Sequence, residues 1–130
     1  MTFGYVAPPY GALWPSIVAL LGKAVERGGN DWTEIEATLE NGRSQLWLTV
    51  EDKPVAAMVT RIDGDTLEVW LAGGAVLAGS VPFLETAIEA SKAAGTTNGR
   101  IIGRKGWARV LRGYGWRTDG EHLVKDWADG

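Results

Sequence analysis

Three β-rich runs stand back to back in the middle of the chain, and they constrain the fold more than any other feature. Gln45 to Glu51 (QLWLTVE), Val55 to Ile62 (VAAMVTRI) and Thr66 to Ala72 (TLEVWLA) are rich in β-branched and aromatic residues, which suit a pleated, half-buried surface. Asp52-Lys53-Pro54 and Asp63-Gly64-Asp65 join them. Connections this short reverse the chain, so the runs form an antiparallel meander of three strands.

Helices are expected on both sides of the meander. A short extended segment, Phe3 to Val6, ends at the Pro8-Pro9 break. Pro15 and Ser16 then open a helix whose apolar positions Ile17, Leu20, Leu21, Ala24 and Val25 recur at helical spacing, and Gly28-Gly29 closes it. Thr33 followed by Glu36 is a capping-box pattern that starts a second, short helix holding Ile35 and Leu39, stopped by Asn41-Gly42. After the meander, Gly73-Gly74 begins a small-residue loop to Gly79. Ser80 is placed to cap a third helix with Phe83, Leu84, Ala87, Ile88 and Ser91 on one face, closed at Gly95. Arg100 to Ile102 follows as a strand, parallel to strand 66 to 72 because a whole helix separates them. Gly106 to Arg112 is a fourth helix, and Trp116 to Thr118 with Glu121 to Trp127 form a hairpin across Asp119-Gly120.

Chain length and composition limit the function classes. A chain of 130 residues is read as one domain, 1–130, and no apolar run approaches the roughly 20 residues of a membrane span, so no membrane contact is expected. The N-terminus lacks the basic-then-apolar pattern of a targeting segment, which makes a cytosolic start the default. Without cysteine and with His122 as the single histidine, no metal site is expected. The net charge is −3, yet RIIGRKGWARVLRGYGWR (100–117) alone carries +6, so the remainder is strongly acidic. Arg104 and Lys105 stand at the entrance of the fourth helix, where the macrodipole disfavours cations, while Arg109 and Arg112 share one face. Of the seven tryptophans, four or five are expected in the core and the others at a contact surface.

The order β-α-α-β-β-β-α-β-α-β-β resembles the GCN5-related N-acetyltransferase (GNAT) fold. That resemblance implies an α/β (α+β) domain with a mixed, mostly antiparallel sheet and about four helices. In the family, a Gln/Arg-x-x-Gly-x-Gly/Ala loop before the third helix holds the acetyl-CoA pyrophosphate on backbone amides. Ala75-Val76-Leu77-Ala78-Gly79-Ser80 occupies that register without the leading Gln/Arg and with Ala for the first Gly. The family's second signature, Asn-x-x-Ala-x-x-x-Tyr-x-x-x-Gly-Phe, anchored on Gly115-Trp116, puts Leu111 where the acid Tyr belongs and Arg104 where the Asn belongs. Related enzymes carry a general base on the fourth strand, at Glu68 here. On an alternating strand Glu68 is read first as an outward polar residue and only second as that base. His122 is likewise read as a surface residue before a base.

LAGG, the helix ending AAG, and GRKGWARVL also resemble small GNAT-like proteins encoded in tailed-bacteriophage and prophage morphogenesis clusters, near the portal gene. The leading expectation is therefore a non-catalytic structural or adaptor component of a virion, made in the host bacterial cytoplasm and homo-oligomeric in the particle. It would need no cofactor and would meet portal or tail neighbours through Arg104, Lys105, Trp107, Arg109 and Arg112. The main alternative is an acetyl-CoA-dependent N-acetyltransferase with Glu68 as base, Tyr114 as acid, and Gly79, Ser80 and Arg104 on the cofactor. A third is DNA contact through residues 100–117.

Overall fold

The computed structural model describes residues 2–74, 81–103 and 105–127, and of Lys105 the backbone alone. Its strands are β1 (Thr2–Val6), β2 (Ser44–Val50), β3 (Pro54–Asp63), β4 (Thr66–Gly74), β5 (Asn98–Ile101), β6 (Arg117–Asp119) and β7 (His122–Asp126). The helices are α1 (Trp14–Gly28), α2 (Trp32–Glu40), α3 (Val81–Lys92) and α4 (Ala108–Leu111). The strand order is β1-β2-β3-β4-β5-β7-β6, antiparallel except for the parallel β4–β5 pair, as expected from the helix between them. The chain divides into two compact units, Met1–Arg61 with Trp70–Ala75 and Ile62–Val69 with Val76–Gly130.

In the first unit, α1 is opened by Pro15, which lacks the N–H a first turn cannot use, and closed by Gly29 in the left-handed region at φ 64°. It buries Ile17, Leu21 and Val25, one residue per turn, while Leu20 and Ala24 are half-buried. The start of α2 differs from the capping-box expectation: Asp31 is the cap, its Oδ1 accepting the Thr33 N–H at 2.9 Å, and Trp32 is already helical. A carboxylate two residues upstream does what Thr33 was expected to do. Trp47 on β2 stacks on Phe3 of β1 (ring centroids 5.4 Å apart) and donates its indole N–H to Thr60 Oγ1 at 2.9 Å. Thr60 in turn donates to Gln45 Oε1, so a buried indole and a buried hydroxyl are both satisfied.

The second unit is held at the turn after β3. Asp65 accepts the Thr97 N–H on its carbonyl at 2.8 Å and the Thr97 hydroxyl on Oδ2 at 3.0 Å. Thr66 and Asn98, joined at 2.8 Å, are the first pair of the β4–β5 register. These contacts start β5 at Asn98, two residues earlier than Arg100. The segment expected as one helix over 106–112 is α4 with a 3-10 turn on either side, Lys105–Trp107 and Arg112–Tyr114. Gly99 explains two tryptophans: a Cβ there would lie 2.7 Å from the Trp127 ring and 3.2 Å from the Trp116 ring. Of the seven tryptophans, three (47, 70 and 116) are buried and four (14, 32, 107 and 127) half-buried, fewer in the core than expected.

Candidate functional site

The parallel register of β4 and β5 is short. It runs from Thr66–Asn98 to Val69–Ile101 and is extended by the Ile102 N–H on the Val69 carbonyl at 3.1 Å, while β4 itself continues to Gly74. The last residues of β4 were expected to be loop. They remain strand because the α1 backbone closes on them: a Cβ at Gly73 would sit 1.9 Å from the Leu20 carbonyl oxygen. Gly74, at φ 99°, would bring a Cβ to 2.3 Å from the Val55 carbonyl oxygen. Only glycine fits either position.

Glu68 lies in the middle of that strand and is 4% exposed. Arg100 stands beside it in register on β5 and donates both Nε–H (2.9 Å) and Nη2–H to Glu68 Oε2. The reading of Glu68 as an outward polar residue is therefore corrected. β4 is buried from Leu67 to Ala72, on both faces, so period-two alternation does not sort inside from outside there. A carboxylate in such a strand requires a partner, and Arg100 provides it. In the sequence Arg100 counted as part of a basic face. The missing information was the register between strands 32 residues apart.

The basic stretch is thus not one surface. Arg100 is committed to Glu68, and Arg117 Nη1 pairs with Asp126 Oδ2 at 3.2 Å. Arg109 and Arg112 are exposed, and Trp107 is half-buried. Arg104, Gly79 and Ser80 lie outside the described residues, as does the Lys105 side chain. Leu111 is fully buried, a core residue at the position where the family signature has a proton donor. Tyr114 is 46% exposed at the end of a 3-10 turn. His122 is half-buried and accepts the Gly103 N–H on Nδ1 at 3.1 Å, which ties β7 to the turn after β5. Arg61 lies over the Trp70 ring, 4.3 Å from its centroid, and the Trp70 indole N–H reaches Asn30 Oδ1 at 3.3 Å. Among the described residues, no three of His, Asp and Glu gather closely enough to hold a metal ion.

No protein-family model and no curated protein matches the sequence. Solved structures do. Tetrahymena GCN5 is similar over 100% of this chain and 98% of its own at TM-score 0.69 and 9% identity. The aminoglycoside 6'-acetyltransferase type Ii gives 0.69 at 14% identity, covering 97% of each chain. The PaiA N-acetyltransferase from Thermoplasma acidophilum, in complex with coenzyme A, gives 0.63 at 14% identity over 98% of this chain and 100% of that one. The fold is therefore the GNAT fold, α+β, with a mostly antiparallel seven-stranded sheet and four α-helices among the described residues. The same matches correct the expectation of a non-catalytic tailed-phage virion component. The structural neighbours are N-acetyltransferases, and the acyl-CoA-dependent alternative fits them better.

Proposed function

We propose that this chain is an N-acetyltransferase that takes its acyl group from acetyl-CoA. The observation that carries the reading is a buried carboxylate, Glu68, at the centre of β4 on a fold shared with acetyltransferases. Bound acetyl-CoA supplies an activated acyl thioester. One feature of the described residues fits such a ligand: the parallel register of β4 with β5 stops at Val69 while β4 itself runs on to Gly74. The loop leading to α3 lies outside the described residues.

In this reading Glu68 takes up the proton of the acceptor amine, and Arg100 is a positioning residue that holds one carboxylate oxygen and orients the other. Leu111 offers no proton, so the family's acid is missing from its usual place. The thiolate would leave with solvent as its proton source or with exposed Tyr114 as donor.

Calorimetry with acetyl-CoA and a thiol-release assay over a panel of amines test the proposal. Micromolar binding and amine-dependent thiol release are expected, with Glu68→Gln lowering kcat by about 100-fold or more, the scale of a lost general base. The absence of heat at millimolar acetyl-CoA overturns it.

A further inference from the structure

The first unit carries a cavity of about 490 Å³ that the acyl-transfer reading does not use. It is lined by Pro8, Pro9, Tyr10, Gly11, Trp14, Glu36 and Glu40. Its volume is in the range of small-molecule sites.

The walls are of two chemical kinds. One is aromatic: Tyr10 and Trp14 stack with centroids 5.8 Å apart, and Trp32 meets Trp14 edge-on at 5.9 Å, which holds the Trp14 ring in place. The other is anionic. Glu36 and Glu40 are one helical turn apart on α2, hence neighbours on one face, where like charges repel. Glu40 is also the last residue of that helix, at the negative end of its macrodipole, and the last turn has no basic residue. Among the described residues neither carboxylate has an ion-pair partner. Burial, with the Tyr5 and Glu40 charges behind it, pushes the Tyr10 hydroxyl up to about 12, so the phenol stays neutral beside the carboxylate.

Carboxylates with no ion-pair partner among the described residues, lining one cavity together with a tyrosine and a tryptophan ring, are the combination that recognises an organic cation. We propose that the cavity lined by Tyr10, Trp14, Glu36 and Glu40 binds an alkylammonium ion. The ring faces take its alkyl groups and spread charge, and the two carboxylates supply the counter-charge. Glu68 does not line this cavity, and the proposal does not rest on acyl transfer: a chain that fails to bind acetyl-CoA would still bind the cation.

Titrating the whole protein with choline, with putrescine, and with the neutral carbon isostere of choline, dimethylbutanol, tests this by indole fluorescence and indole N–H shifts. The expected result is saturable binding of a cation that weakens with added salt and drops at least tenfold in the Glu36→Gln, Glu40→Gln double variant. The neutral alcohol is expected to bind at least tenfold more weakly than choline. Tighter choline assigns a quaternary head group, and tighter putrescine assigns a primary diammonium held by both carboxylates. Equal binding of the alcohol and choline, an unchanged double variant, or no binding by either cation overturns the proposal. Both substituted glutamates are exposed, so the double variant keeps its fold, which circular dichroism checks.

Discussion

Arg100 on β5 reaches across to Glu68 on β4 and places two N–H donors on a single carboxylate oxygen. The Glu68 side chain is 5% exposed and that of Arg100 39%, so the anion is buried and the cation half in water. Removing the cation takes both of these charge-assisted hydrogen bonds from a buried anion. Breaking a fully buried pair costs about 3–5 kcal/mol, and water reaching Arg100 reduces this. Arg100→Ala is therefore expected to lose about 2 kcal/mol in urea denaturation. Glu68→Gln, which leaves no buried charge, should lose less. Equal losses would show that the pair adds nothing beyond packing.

Gly73 and Gly22 make a matched test of why glycine stands where it does. A methyl group at Gly73 would meet the α1 backbone, which cannot move aside as a side chain can. Gly73→Ala is expected to cost more than about 3 kcal/mol, the upper end of overpacking, or to abolish folding. Gly22 lies inside α1 with open space around it, so Gly22→Ala should stabilise by about 0.5–1 kcal/mol through helix propensity and lost unfolded-state entropy. Thermal denaturation of the two variants decides it.

Tyr10 has a defined alkaline signature. Its folded pKa, about 12, exceeds the ordinary 10.0, so the folded state holds the phenolic proton more tightly than the unfolded chain. The resulting stability is fully present below pH 10 and is lost as pH rises through about 12. Ultraviolet titration should show a late tyrosine ionisation that is absent in Tyr10→Phe. Glu40→Gln should move it only part of the way back, because burial is the larger cause.

Leu111 and Tyr114 separate packing from proton transfer. Leu111 is fully buried, and Leu111→Ala is expected to cost about 2–5 kcal/mol as a cavity. Tyr114→Phe alters an exposed ring and should stay within about 0.5 kcal/mol of wild type. Its kcat for thiol release should fall by less than the about 100-fold that a general acid supplies. A larger fall makes the Tyr114 hydroxyl the proton donor.

The fold was legible because its signals are local. Pro15 and Gly29 bound α1, Asn41-Gly42 stops α2, and the Gly64 and Gly120 turns set β4 beside β3 and β7 beside β6. Each depends on a few adjacent residues. The site was less legible. Glu36 was read as half of a capping box with Thr33 and Glu40 was given no role, and nothing in their spacing says that the chain around Pro8–Gly11 returns to line a cavity with them.

By itself, then, the sequence determined which segments are strands and helices, their order, and the parallel sense of β5, because periodicity and turn chemistry act over a few residues. Only the tertiary structure decided that Glu68 is buried and answered by Arg100, that Gly73 must lack a side chain, and that Leu111 is core. Each of these depends on one residue meeting another far away in the chain, and such meetings are set by strand register and helix packing, which no local pattern encodes.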